Sequence, residues 1–261
     1  MGIERNADAP NEIFSAIEKH EAMQSIDRFN QALLTRPLTL PERKIFLASL
    51  RFFNRFIPAG ILALVSRLTD HLLQGHPYTA YEKAAPLLEA AVDEYGLHGT
   101  KTHFQLFSDF ARHLGVDEAE LEKADSAVPA SLEIGQNLFR WYREADLDTA
   151  IGVHVASEVT SLREFSGWKE PFLRFPEYGF ALDGTAFTYI KTHTDLEPEH
   201  SDDSLRFLKD YLSLAGSDSA KVQQGASAYM DLYSRMFNQL TEGIFNGIDV
   251  NGVIEATRRK I

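Results

Sequence analysis

The chain has 261 residues, 44% of them hydrophobic and 25% charged, with a formal charge of −12 and an isoelectric point near 5.2. This acidic balance argues against nucleic acid or an anionic membrane surface as a partner, since both call for a basic face, and the composition is that of a folded globular protein. Cysteine is absent, which excludes disulfides, thiolate metal sites and cysteine nucleophiles.

The start, MGIERNADAPNEIF, lacks the basic region and apolar run of a secretory signal, and residues 1–10 read as a flexible tail. The longest apolar run, FIPAGILALVSRL, is too short and too interrupted to span a bilayer. Together these features point to a cytoplasmic protein. Apolar residues recur with helical period almost throughout, and no alternating run bounded by hairpin turns is visible, so the expected fold class is all-α. No repeat or low-complexity linker divides the chain, which reads as one helical domain over 1–261.

The first predicted helix covers 11–36, with Ile13, Phe14, Ile17, Phe29 and Leu33 on its apolar face, and stops at Pro37. A second starts at Pro41 and runs to about 73; it is apolar on most sides and should kink near Pro58 and Gly60. A third spans roughly 78–95. After a short GLHG break come a helix in THFQLFSDFARHLG, a small acidic one at 116–124, one at 129–145 and one from Leu147 to about Phe165. SGWKEPFLRFPEYG, with two prolines and two glycines, reads as a loop. A long helix then carries YIKTHTDLEPEHSD, and a last one covers 217–245, with Ser217 as its N-cap.

YIKTHTDLEPEHSD holds the pattern HxxxExxH. On a helix, His193, Glu197 and His200 fall at i, i+4 and i+7, one narrow stripe that can bind a metal. The competing reading is a solvated acidic helix end interrupted by Pro198, and this motif alone leaves both open. Elsewhere, Glu158 lies among Ile151, Val155, Val159 and Leu162, so its carboxylate points partly inward and needs a partner, for which His154 one turn earlier is a candidate. Glu94 ends one helix and His103 opens the next, which suits either a capped junction or a ligand pair. Taken together, Glu94, His103, Glu158, His193, Glu197 and His200 supply three carboxylates and three imidazoles. That inventory suits a pair of Fe or Mn ions better than structural zinc. The ferritin-like arrangement needs two ExxH motifs, and the chain has only Glu197 to His200.

DEYG followed by THFQLF, then Glu158 in ASEVTSL, then AFTYIKTHTDLEPEH, stand in the order and at the intervals of a known family. The sequence resembles the haem-oxygenase-like diiron oxidases and oxygenases of the TenA and PqqC superfamily, nearest the CADD-like group of the chlamydial protein associating with death domains. The likeness covers roughly residues 40–245. It implies a haem-oxygenase-like bundle of about seven core helices and two iron ions held by the six residues above. It also implies dioxygen and a small organic molecule as substrates, and a homodimer. Tyr189, one turn before His193, would lie beside the metals as a redox or hydrogen-bonding catalytic residue, unless it only packs in the core. Members that make para-aminobenzoate sacrifice a tyrosine near the N-terminus, whereas the first tyrosine here is Tyr78, so that chemistry is not expected. Asp70, near the place of an additional carboxylate in some members, reads as a surface residue. Phe52, Phe53, Phe56 and Phe107 are candidate walls of a substrate pocket. The rival readings are a metal-free enzyme of the same fold, a haem-degrading enzyme with His20 as proximal ligand, and a non-catalytic helical interaction module.

Overall fold

The computed structural model describes residues 8–75, 78–97 and 101–247, with the side chains of 78–80, 124 and 195–202 outside that description. Every regular element among the described residues is helical. The stretch predicted as one helix over 11–36 is two, α1 (Ala9–Glu18) and α2 (Glu21–Leu33). The break is at His20, whose backbone is extended and whose Nδ1 accepts from the Ala22 amide at 3.2 Å. His20 is thus the N-cap of α2 rather than a residue within a first helix. Ala9 and Pro10 are buried in α1, so a helix begins inside the stretch read as a tail; residues 1–7 lie outside the description.

The long apolar segment is also split, into α3 (Leu40–Asn54) and α4 (Ile57–Gly75). The interruption falls at 55–56, ahead of the expected kink. Pro58 sits in the first turn of α4, where its missing N–H costs no hydrogen bond. By length and composition Leu40–Gly75 is apolar enough to cross a bilayer, which the shorter run quoted above did not suggest; half of its most apolar window is buried inside the bundle. Asp70 is exposed, as its sequence context indicated.

A 3₁₀ turn (Tyr78–Ala84) leads into α5 (Ala85–Glu94), which ends at Glu94, and α6 (His103–His113) opens at His103 behind a Thr102 cap. The short α7 (Glu118–Leu121) and α8 (Pro129–Glu144) follow. α9 (Leu147–Arg174) then runs nine residues past its predicted end, through Gly167 and Pro171. Packing overrides the local signals here. Phe165, Trp168 and Phe172 recur on one buried face, with Trp168 edge-on to Phe46 at 5.0 Å and Phe172 against Phe110 at 5.2 Å. The helix stops at Phe175, which is held extended by Pro176. α10 (Thr188–Leu212) continues unbroken through position 198, and α11 (Ser219–Phe245) is capped by Asp218 rather than Ser217.

The buried apolar residues form one contiguous cluster. At its centre α9 and α11 cross closely enough that glycine is required on both. A Cβ on Gly152 would overlap the Val222 carbonyl, and one on Gly225 would overlap the Thr149 carbonyl. Because the obstacle is backbone, no side-chain rotation relieves it. Gly225→Ala is therefore expected to destabilise the protein by about 1–3 kcal/mol in denaturant unfolding. Gly75→Ala, where the added methyl meets nothing within 4 Å, should leave stability nearly unchanged.

Candidate metal and substrate site

The ends of α3 and α4 that flank the break, together with α5, α6, α9, α10 and α11, enclose a cavity of about 260 Å³. Its acidic and imidazole lining is Asp93, Glu94, His103, Glu158, Glu164 and His193. Phe53, Ile61, Phe107, Phe165, Tyr189 and Tyr233 are buried residues of its wall. Four of the six ligands proposed from the sequence, Glu94, His103, Glu158 and His193, thus come together from four helices. The other two, Glu197 and His200, share the α10 backbone with His193, but their side chains lie outside the described residues.

His103 Nδ1 is 3.1 Å from Glu94 Oε1, and both side chains are largely buried. Burial works against a charged His103 imidazole, but Glu94, with Asp93 and Glu158 beyond it, outweighs that effect and raises its pKa above the ordinary histidine value. The His103 and His193 rings are 4.7 Å apart, and His193 stacks on Phe165 at 3.8 Å. His193 Nδ1 donates to the Tyr189 carbonyl at 2.7 Å, one turn back on α10. That bond selects the tautomer whose Nε2 carries the lone pair, as a metal-ligating imidazole requires. Burial, reinforced by the Glu94 carboxylate, pushes the Glu158 carboxyl up to about 7 against the pull of His103. His154 Nδ1 stands 3.7 Å from Glu158 Oε1, too far for the hydrogen bond its spacing suggested.

Among the described residues no group of three His, Asp or Glu side chains is gathered that could hold one ion. What the structure does show is a donor set of fitting chemistry. Carboxylates crowd in a partly apolar cavity, where burial and then mutual repulsion raise the pKa of Glu158, and imidazoles stand at their side. A divalent cation would relieve that crowding.

Two of the four aromatic walls expected from sequence are elsewhere. Phe53 and Phe107 line the cavity, whereas Phe52 and Phe56 do not, and Phe56 packs on Phe139 at 5.4 Å. Tyr189 is buried in the wall with its ring 4.7 Å from His193, and its hydroxyl accepts from Asn54 Nδ2 at 3.1 Å.

A family described as iron-containing redox enzyme matches the chain over residues 60–234, a span that holds all six proposed ligands. The 4-chloro-allylglycine synthase of Streptantibioticus cattleyicolor is 21% identical over 216 residues, which cover 82% of this chain and 76% of that protein. Two solved structures share the fold. One is a CADD-like protein of unknown function from Nostoc punctiforme, with a TM-score of 0.66, 12% identity and coverage of 92% of this chain and 96% of that one. The other is a TenA homolog from Pseudomonas syringae pv. tomato, with a TM-score of 0.68, 12% identity and coverage of 93% and 98%. The architecture is therefore the all-α haem-oxygenase-like bundle that the sequence resemblance implied.

Sequence reasoning missed Glu164 and Tyr233. Glu164 is buried in the cavity wall and accepts from the Tyr233 hydroxyl; burial still pushes its carboxyl up to about 8. The signal was a carboxylate beside the apolar Leu162 and Phe165 on the same helix as Glu158, but an expected helix end at Phe165 left it in a fraying turn. Because the folded-state pKa lies above the ordinary 4.5, the native state binds a proton that the unfolded chain has lost. Stability from this group is full below pH 4.5 and declines as pH rises toward 8. In metal-free protein, Glu164→Gln, which keeps an acceptor for Tyr233, should give a melting temperature that falls less between pH 5 and 8 than that of the wild type.

Proposed function

Because the chain belongs to the iron-containing redox enzyme family, we propose that it is a non-haem oxidase or oxygenase that binds two iron ions in the cavity and uses dioxygen to oxidise a small organic substrate. One observation carries this reading: Glu94, His103, Glu158 and His193, from α5, α6, α9 and α10, line a single cavity. Glu197 and His200 complete the proposed ligand set, and the same donors also suit manganese.

Bound ferrous iron would supply the electrons that reduce dioxygen, chemistry that no side chain here provides. The protein's own contributions are positional and electrostatic. The Tyr189 carbonyl fixes the His193 ring, and Phe165 stacked on its face keeps it from turning. Glu94 orients His103 in the same way. Glu158, its pKa raised by burial to about 7, serves as a ligand only as the carboxylate, so cation binding below that pH releases a proton from this site. Phe53, Ile61, Phe107 and Phe165 exclude water from the inner cavity and form the surface for the carbon skeleton of a substrate. A cavity of about 260 Å³ lies below the common range of about 300–1,000 Å³ for drug-sized ligands, so the substrate is small. The relative from Streptantibioticus cattleyicolor bears the name of an amino-acid synthase, which fits a substrate of that size.

Ferrous iron titrated into anaerobic metal-free protein should saturate at two ions per chain, and oxygen should then produce a transient visible absorbance. His193→Ala and Glu158→Ala should each lower the stoichiometry and abolish the transient. Absence of both stoichiometric iron and an oxygen-dependent species in the wild type would refute this reading in favour of a metal-free enzyme or an interaction module. Tyr189→Phe keeps the ring and its packing but loses the hydroxyl bonded to Asn54. It should still bind two irons, with a decay of the transient at least severalfold slower if the hydroxyl takes part in the reaction.

A further inference from the structure

Two acids on α9 line the cavity in different surroundings. Glu158, in the proposed ligand set, lies under the influence of Glu94 and His103. Glu164 stands six residues on, about 9 Å farther along the helix axis, and only burial and the Tyr233 hydroxyl act on it. It is 2% exposed, and Tyr233 donates to its Oε2, which leaves Oε1 to carry the acid hydrogen. The arginines nearby are committed to other acids. Arg51 and Arg55, in the last turn of α3, pair with Glu122, and Arg163, beside Glu164 in the chain, pairs outward with Asp27. Across the cavity, His193 Nδ1 is spent on the Tyr189 carbonyl and His103 faces Glu94. Asp93 and Glu94 on α5 are acids themselves and offer Glu164 no counter-charge. On α11, burial and then the Glu164 carboxyl hold the Tyr233 hydroxyl well above the usual phenol range.

We propose that the Glu164 carboxyl is the proton donor of this cavity, passing its hydrogen to dioxygen as that molecule is reduced, and that Tyr233 is the residue that positions it. This deepens the oxidase reading and rests on it. Reduction of dioxygen consumes protons, and Phe53, Phe107 and Phe165 exclude from the inner cavity the water that would otherwise bring them. The donor is then a wall group that holds a proton at neutral pH and releases it readily. The Tyr233 phenol holds its hydrogen too tightly, and Glu158 serves as a ligand only without one. Glu164, which burial pushes up to about 8, meets both conditions. In the transfer its O–H bond breaks, the electron pair stays on the carboxylate, and the proton joins an oxygen atom whose added electrons come from ferrous iron. The Tyr233 hydroxyl keeps its own hydrogen and stabilises the new carboxylate. Between turnovers, water entering past Arg55, whose side chain is 48% exposed, restores the acid. Two carboxyls on one helix thus divide the roles of ligand and donor according to their surroundings.

The test compares wild type, Glu164→Gln and Tyr233→Phe. In metal-free protein, subtracting the infrared spectrum of Glu164→Gln from that of wild type should isolate the carbonyl band of a protonated carboxyl, which fades as pH rises through about 8. Tyr233→Phe removes the bond that favours the carboxylate, so its band should persist to higher pH. Both variants should take up two ferrous ions per chain. After oxygen is added, Glu164→Gln should slow the decay of the transient about 100-fold. It should also lose the fall in rate that the wild type shows as pH rises through about 8. Tyr233→Phe should move that fall to higher pH together with the band, which a packing role alone would not do. Loss of an iron ion in Glu164→Gln, which would make this residue a ligand, or absence of its carboxyl band would overturn the assignment. If the wild type takes up no iron, the oxidase reading falls and the donor with it. If it takes up two and Glu164→Gln keeps the wild-type decay and pH profile, the donor alone falls.

Discussion

The close crossing of α9 over α11 is the constraint from which the rest of the bundle follows. With Gly152 and Gly225 at the contact, the two longest helices meet backbone to backbone and leave no room for side chains between them. The N-terminal half of α9 is buried on nearly every side, so the other helices have to pack around it. That arrangement fixes Glu158 and Glu164 on a rigid rod, and their distance from the imidazoles on α6 and α10 is set by helix packing rather than by loops. A site assembled this way is stiff at its acidic floor.

That floor is electrostatically costly. Burial raises the carboxyls of Glu158 and Glu164 above their ordinary range, and the protein meets the cost with protons and with the Tyr233 hydroxyl. The fold therefore holds acidic groups ready in an environment that disfavours their charge, which is the setting in which a cation binds most strongly. Stability and binding pull in opposite directions here. An apolar residue in place of either acid would suit the core better and would remove what distinguishes this cavity from ordinary packing.

Much of this was legible in the sequence because it rests on short-range signals. Glu94 closing one helix and His103 opening the next can be read from DEYG and THFQLF, and the Thr102 cap explains why the second boundary is so sharp. Helical period identified the all-α class. The failures came where tertiary packing outweighed local signals. Gly167 and Pro171 look like helix breakers, yet Trp168 and Phe172 bury enough surface to carry α9 through them. At the other extreme, nothing in the period of the 11–36 stretch marks His20 as a cap. The cavity side chains missed were those whose role is set by neighbours distant in sequence: Glu164 by Tyr233, 69 residues away, and Asn54 by Tyr189, 135 residues away.

The interruption between α3 and α4 has a mechanical meaning. A continuous helix along this wall could change its angle only by giving up backbone hydrogen bonds in a low-dielectric interior, at a cost that grows with the bend. Here the regular ladder already stops at 55–56, between Asn54, which is tied to α10, and Pro58, which has no amide hydrogen to lose. The wall is thus two short levers joined at a seam. One carries Arg51 and Phe53 and the other carries Ile57 and Ile61, so a change of angle at the seam would reshape this wall of the cavity while the helix that holds the acids stays in place.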